Sequence, residues 1–401
     1  MTTLEHGSGC QRTAVIVSGM HRSGTSALTR VLSLLGAALP NHLIEGDHRN
    51  ERGFWEGRVI VDQNKRVLSR FGSWGIGWES IDAQRLLSLT RVVERTRRLV
   101  RDEFVDADLV VLKDPRVCRL LPLWTRALEL EGFRCVHVLA LRHPAAVADS
   151  LERRDGLNRK AAALAWLAHS LDAELHSRAQ PRVVVSFENL LRDWRSEADR
   201  VGRALAVQWP RSADEIADAV SDFVEPGLAH QPPASETMGP ITTITPAYDV
   251  LQRWSEDDDR PDDLDVLDSW RALLEPVRGA RSATARMSIE RKEVIADLKD
   301  RKQRIGRLGS GNVWRPIQLQ GYNLEADAAW AWLRQERQHH RAARRAEQEI
   351  GRLERSLAEA ERSGRLIPKV TRRVGRRESL PVHAPGHHAG DDKGEQRPHG
   401  R

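Results

Sequence analysis

The chain of 401 residues contains no run of about 18 apolar residues, and this excludes a membrane-spanning helix. Its first residues, Met1-Thr2-Thr3-Leu4-Glu5-His6-Gly7, carry neither a basic start nor an apolar core, so no secretory leader is expected. Cysteine is scarce. Cys10, Cys118 and Cys135 form an odd, scattered set, which argues against a disulfide framework and fits a reducing, cytoplasmic compartment. Cys135 sits beside an apolar strand and is expected in the core. The C-terminal histidines His383, His387, His388 and His399 lack Cys or carboxylate partners at metal spacing, so no metal site is expected there. Surplus charge is missing from most of the chain. Residues 331–401 carry 17 Lys/Arg against 10 Asp/Glu, whereas residues 1–330 carry 46 against 47. The net charge of +6 therefore belongs to the tail. It gives no ground for a nucleic-acid partner of the folded part.

What is present is a β-branched strand running into a glycine-rich loop, Val15-Ile16-Val17-Ser18-Gly19-Met20-His21-Arg22-Ser23-Gly24-Thr25-Ser26. A helix over Ala27–Leu35 follows and stops at Gly36. This layout aims backbone N–H groups and a helix N-terminus at a bound anion. The spacing G-x-x-x-x-G-x-S is that of a phosphate-binding P-loop without its lysine. A nucleotide triphosphatase places Lys after the second Gly to reach the β- and γ-phosphates. Here that position is Thr25, and the nearest cation is Arg22. The loop is therefore suited to one phosphate-like group rather than to a magnesium-bound triphosphate.

Four apolar runs read as buried parallel strands: Ala14–Ser18, Leu109–Leu112, Cys135–Leu141 and Arg182–Ser186. Helical stretches separate or follow them at Ala83–Val105, Leu120–Glu131, Ala145–Arg153, Arg159–Arg178 and Leu190–Ala206. The alternation predicts an α/β fold, a P-loop-type parallel sheet flanked by helices. Ligands of such sheets bind at the carboxyl ends of the strands. Weight therefore falls on His21 and Arg22, Lys113 and Asp114, Arg142 and His143, and Phe187 and Glu188. Residues 225–262, rich in Pro and polar groups, read as loop, and a helix over Asp263–Val277 is expected to pack back on the core. The domain reading is a P-loop domain over 10–280, a charged helical extension over 281–365 and a disordered basic tail over 366–401. Within the extension, Ile350, Leu353, Leu357 and Ala360 follow a 3–4 spacing, that of a solvated amphipathic helix.

A second constellation is Val136-His137-Val138-Leu139-Ala140-Leu141-Arg142-His143-Pro144, followed by a helix carrying Ser150. Pro144 suits that helix's first turn. Arg142 leaves the strand end, and Ser150 lies two helical turns on. The two can converge on one phosphate, Arg as a charged donor and Ser as a neutral one. The competing reading of Arg142 is a salt bridge at a strand end.

Together the two constellations resemble the sulfotransferase superfamily that uses 3′-phosphoadenosine 5′-phosphosulfate. The segment GMHRSGTSALTRVLSLLG is similar to the loop of bacterial carbohydrate-type members. VVLKDPR after the second strand and VVVSFENLL, like the family's strand and Y-E-D-L segment, add to the resemblance, which covers roughly residues 10–210. His143 stands where the family has Asp, Phe187 stands for the Tyr, and the R-K-G segment of cytosolic members is not recognisable. These departures favour the carbohydrate branch. The resemblance implies that the first loop, with Arg22, Ser23, Gly24, Thr25 and Ser26, holds the 5′-phosphosulfate. It implies that Arg142 and Ser150 hold the 3′-phosphate, and that Lys113 faces the transferred group with Arg22. No metal is implied.

Sulfuryl transfer to an alcohol needs a proton acceptor. In Asn50-Glu51-Arg52-Gly53-Phe54-Trp55-Glu56, Glu51 matches the family's catalytic Glu, with Glu56 second and Asp114 third. The alternative for Glu51 is a surface carboxylate paired with Arg49 or Arg52. Trp55, Trp74 and Trp78 lie where the family builds part of its acceptor cleft and can stack on sugar rings, or else form a core edge. The expected acceptor is a sugar or glycolipid hydroxyl. Peripheral contact of the basic tail with an anionic membrane surface stays open, as does the oligomeric state. Two rival functions remain. One is a P-loop nucleotide kinase or hydrolase, with Asp114 as a magnesium ligand. The other is a non-catalytic nucleotide-binding scaffold whose helical tail recruits partners.

Overall fold

The structure is a computed structural model and describes residues 11–46, 53–223 and 244–279. Cys10, Glu51, the extension and tail beyond residue 280, and the tail histidines lie outside the described residues.

Four strands, β1 (Thr13–Ser18), β2 (Leu109–Lys113), β3 (Arg134–Leu141) and β4 (Arg182–Ser186), form one sheet in the order β2-β1-β3-β4. Every pairing is parallel. The chain is an α/β protein whose sheet is covered on both faces. The strands' period of two sorts their side chains. Val15 and Val17 pack on one face with α1 (Thr25–Leu34) and α9 (Trp194–Leu205). Ala14 and Ile16 pack on the other with α2 (Arg58–Arg70), α4 (Thr90–Glu103) and α5 (Val117–Leu130). A strand buried on both faces has no polar side to show, so these runs are almost continuously apolar, His137 of β3 being the buried exception.

The strand order positions the site. β1 lies centrally, with β2 on one side and β3 on the other, and the phosphate-type loop leaves its carboxyl end at the point where the order reverses. Val17 pairs with Lys113, and Ser18 with Leu139, two residues before the end of β3. The loop therefore emerges between Lys113 on one flank and Arg142 on the other.

The expected elements differ from the observed ones in four places. The helix expected over Ala83–Val105 is two, α3 (Ala83–Ser88) and α4, broken at Leu89 (φ −76°, ψ 71°). Leu190–Ala206 is likewise divided into α8 (Phe187–Arg192) and α9, because Asp193 leaves the helix to accept from the Ser196 N–H as an N-cap. Helix α2 was not expected. It buries Gln63 and Asn64 beside Ile60, Val67 and Leu68, and those amides hide the apolar period. Part of the segment read as loop over 225–262 is helical: after α10 (Ala217–Ser221), α11 spans Thr245–Trp254. Pro246 lies in its first turn, where a missing N–H costs nothing, so the proline that suggested a loop instead starts a helix. Helices α6 (Pro144–Asp155) and α7 (Arg159–Ser177) stand close to expectation. Among the described residues, a last helix, α12, runs over 263–279.

Candidate functional site

Arg22 and Gly24, at φ 72° and 81°, turn the loop after β1 sharply into α1. Gly24 is held there by a neighbour: a Cβ on it would lie 2.2 Å from Cδ2 of Phe187, the first residue after β4. The loop's inward groups are used locally. The Gly19 N–H donates to Cys118 Sγ at 3.0 Å, and the Ser23 N–H to the Met20 carbonyl at 3.1 Å. Cys118 is a thiol here, because burial pushes its pKa up to about 12. Helix α1 has no side-chain cap, and its first-turn N–H groups have no carbonyl within the helix to bond. Gly24, Thr25, Ser26 and Ala27 line a cavity of about 790 Å³.

Arg22, Lys113, Arg142 and Ser150 face the same cavity. Ser23 does not: its side chain is buried beneath the loop, and its hydroxyl has no partner. The contacts depart from the expected division of labour. Arg22 is engaged by helix α6. Its Nε donates to Ser150 Oγ at 2.7 Å, while Arg142 Nη1 donates to the Arg22 carbonyl at 3.1 Å. Arg22, Arg142 and Ser150 are thus one cluster. The Arg142 guanidinium lies 4.8 Å above the Phe187 ring, and its carbonyl accepts from Trp166 Nε1 at 3.1 Å. Arg142 is 9% exposed, yet neither guanidinium has a carboxylate within 4.0 Å among the described residues. The salt-bridge reading of Arg142 is therefore not what the structure contains. Burial lowers the pKa of both arginines.

The opposite flank is charge-balanced. Lys113, 2% exposed, donates to Glu56 Oε1 at 2.6 Å, to the Phe54 carbonyl at 2.9 Å and to Ser26 Oγ at 3.1 Å. Burial raises the Glu56 pKa although Lys113 opposes it. Asp114 is fully buried beside them. Its Oδ1 accepts from Arg116 N and Nη1 at 3.0 and 2.8 Å, and its Oδ2 from Asn64 Nδ2 at 2.8 Å. Asn64 in turn accepts from Trp124 Nε1 at 2.7 Å. With both oxygens engaged, Asp114 is an anchor for Arg116. It is poorly suited to be a base or a magnesium ligand.

Sequence reasoning quoted Arg116 but assigned it no role, although its place two residues after Asp114 was a usable signal. It gave weight to His21, which the structure places in the cavity lining, but no role. It also could not foresee Phe187 as the platform beneath Arg142, since that contact spans two strands. Among the three tryptophans, Trp78 is buried, Trp55 lies under the Arg30 guanidinium at 4.5 Å, and Trp74 is 50% exposed. Trp78 is thus a core edge, and Trp74 alone of the three is largely open to solvent.

No family model and no curated protein matches the chain. Among solved structures, it is similar to the sulfotransferase domain from the Synechococcus PCC 7002 olefin synthase. That likeness has 21% sequence identity, covers 57% of this chain and 92% of that chain, and has a TM-score of 0.32. At that score the likeness carries no argument, and the functional reading rests on the site.

The loop geometry yields a direct test. Gly24→Ala demands both an unfavourable left-handed φ and displacement of the Phe187 ring. It is expected to lower stability by roughly 1–3 kcal/mol and to weaken anion binding at the cavity. Thermal unfolding and calorimetric titration check it, and unchanged values for both would refute the packing described.

Proposed function

We propose that this protein transfers the sulfuryl group of 3′-phosphoadenosine 5′-phosphosulfate to a hydroxyl of a glycan or glycolipid. The observation that carries the proposal is the Arg22–Arg142 cluster, two guanidiniums on one wall of the cavity with no carboxylate within 4.0 Å of either among the described residues. Like charges drawn partly out of water are costly unless an anion joins them. A ribose 3′-phosphate supplies that anion, and Ser150 adds a neutral donor. The 5′-phosphosulfate then belongs to the other subsite, with the N–H groups of Gly24, Thr25 and Ser26, the Ser26 hydroxyl and Lys113. Two anion subsites on one cavity match a nucleotide charged at both ends of its ribose.

In the proposed step the acceptor oxygen attacks sulfur, and the bond from sulfur to the bridging oxygen of the 5′-phosphate breaks. Adenosine 3′,5′-bisphosphate leaves, and the hydroxyl proton passes to a carboxylate. Glu51 is assigned as that base by its motif. Glu56 is the second candidate, since burial favours its protonated form and thus proton uptake. Lys113 and the α1 N-terminus stabilise the charge that grows on the bridge. Arg22 is assigned here to the 3′-phosphate side, where its Ser150 contact supports it better than the transfer role first expected of it.

Two measurements test these assignments. Arg142→Ala is expected to weaken adenosine 3′,5′-bisphosphate by about 10- to 100-fold, the loss of one charged hydrogen bond. Ser150→Ala should cost less, and adenosine 5′-monophosphate should lose little in either variant. Equal losses for both nucleotides would assign these residues to the fold instead. Glu51→Gln should slow transfer by roughly 10²–10⁴-fold with nucleotide affinity kept within a few-fold. An active Glu51→Gln beside an inactive Glu56→Gln would move the base to Glu56.

A further inference from the structure

Against His21 and Arg116, which line the cavity, lies a turn over residues 72–79 that belongs to no helix or strand, yet its backbone is tied at several points. The Gly77 N–H closes on the Trp74 carbonyl at 2.9 Å, and the Ser73 hydroxyl donates to Glu79 Oε2 at 2.7 Å. Beneath the turn, Arg119 of α5 is fully buried and donates to the carbonyls of Gly77 and Glu79. Arg119 also donates to Asp172 Oδ2 of α7 at 2.8 Å. Arg278 of α12, 4% exposed, completes this network from the far end of the chain's described part. It donates to both Asp172 oxygens at 2.7 and 2.9 Å and reaches the Glu79 carbonyl at 3.4 Å.

The other side of the turn meets the site. The Gly75 carbonyl accepts from His21 Nε2 at 3.3 Å, and a Cβ on Gly75 would lie 3.4 Å from Arg116 Nε. His169 Nε2 lies 3.3 Å from the same carbonyl, but its Nδ1 is only 2.7 Å from the Ala165 carbonyl. A neutral imidazole has one N–H, and the shorter contact claims it. His21 alone then donates to Gly75.

We infer that Arg278 is a positioning residue for the anion site. By bracing Asp172, Arg119 and the Glu79 carbonyl, it holds the turn whose Gly75 backbone orients His21 and packs on Arg116. Its importance for binding rests on the nucleotide reading of the cavity, but the mechanical link does not. Lysine is a poor replacement, because a single ammonium cannot grip both Asp172 oxygens and the carbonyl together. Glutamine removes the brace while leaving Arg119 and Asp172 paired, so no buried charge is orphaned.

The experiment follows His21 by NMR titration of its ring carbon, together with hydrogen exchange of residues 73–80, in the full chain without nucleotide. His21 faces Arg116, His169, Arg154 and Lys113, which with burial keep it neutral well below the ordinary histidine range. In Arg278→Gln the His21 midpoint should climb toward about 6.5, and the turn amides should exchange roughly tenfold faster or more. Arg271→Gln serves as the control, since it breaks a 3.0 Å ion pair of α12 with Glu174 away from the turn. It should leave both readouts at wild-type values. Wild-type behaviour of Arg278→Gln, or equal changes in Arg271→Gln, overturns the proposal. If Arg278→Gln does not fold, Arg278→Lys carries the test: a partial shift supports the brace and none overturns it. Since no nucleotide is used, failure here and failure of the donor assignment are separable.

Discussion

Two guanidiniums, Arg22 and Arg142, share one wall of a cavity with no carboxylate within 4.0 Å of either among the described residues, and much of the site is built to keep them there. The carbonyl of Arg22 accepts from Arg142, so the backbone of the loop is tied to the charge beside it. Phe187 supports the Arg142 guanidinium from below, and the same ring occupies the space that a side chain at residue 24 would need. Ser150 and Trp166, from α6 and α7, fix the Arg22 side chain and the Arg142 backbone. The arrangement stores an unmet demand for an anion.

The two flanks of the loop differ in charge. Lys113 and Arg116 stand against Glu56 and Asp114, so that side is balanced before any ligand arrives. The Arg22–Arg142 side is not. In the proposed reaction this separates binding from chemistry. Affinity comes from a phosphate remote from the transferred group, and binding energy of that kind can be spent on positioning at the reacting centre. On the balanced side, Lys113 already bonds both Glu56 and Ser26 of the α1 first turn, so its charge is pre-oriented rather than recruited.

The sheet was legible in the sequence because a parallel strand covered on both faces is apolar along most of its length, and Val15–Val17, Leu109–Leu112, Val136–Leu141 and Val183–Val185 follow that rule with His137 as the exception. The loop was legible because its glycines and the absent lysine are local features. Helix α2 was hidden by Asn64, whose amide is buried only because Asp114 and Trp124 are there to satisfy it. Helix α11 was hidden by Pro246, whose meaning depends on whether it falls inside or ahead of a helix. The pairing of Arg22 with Ser150 spans 128 positions, and no local pattern could have reported it. The same holds for Arg278, which meets Asp172 only because α12 returns to the core.

The central claim is that the cavity takes a nucleotide phosphorylated at both ends of its ribose, with no metal needed. Calorimetric titration of the wild-type chain with adenosine 3′,5′-bisphosphate in the presence of EDTA tests it most directly, beside a parallel titration with ATP and Mg²⁺. Saturable binding of the bisphosphate in EDTA and much weaker binding of ATP–Mg²⁺ are expected. Folded protein that ignores the bisphosphate, or that binds ATP–Mg²⁺ in preference to it, would contradict the account.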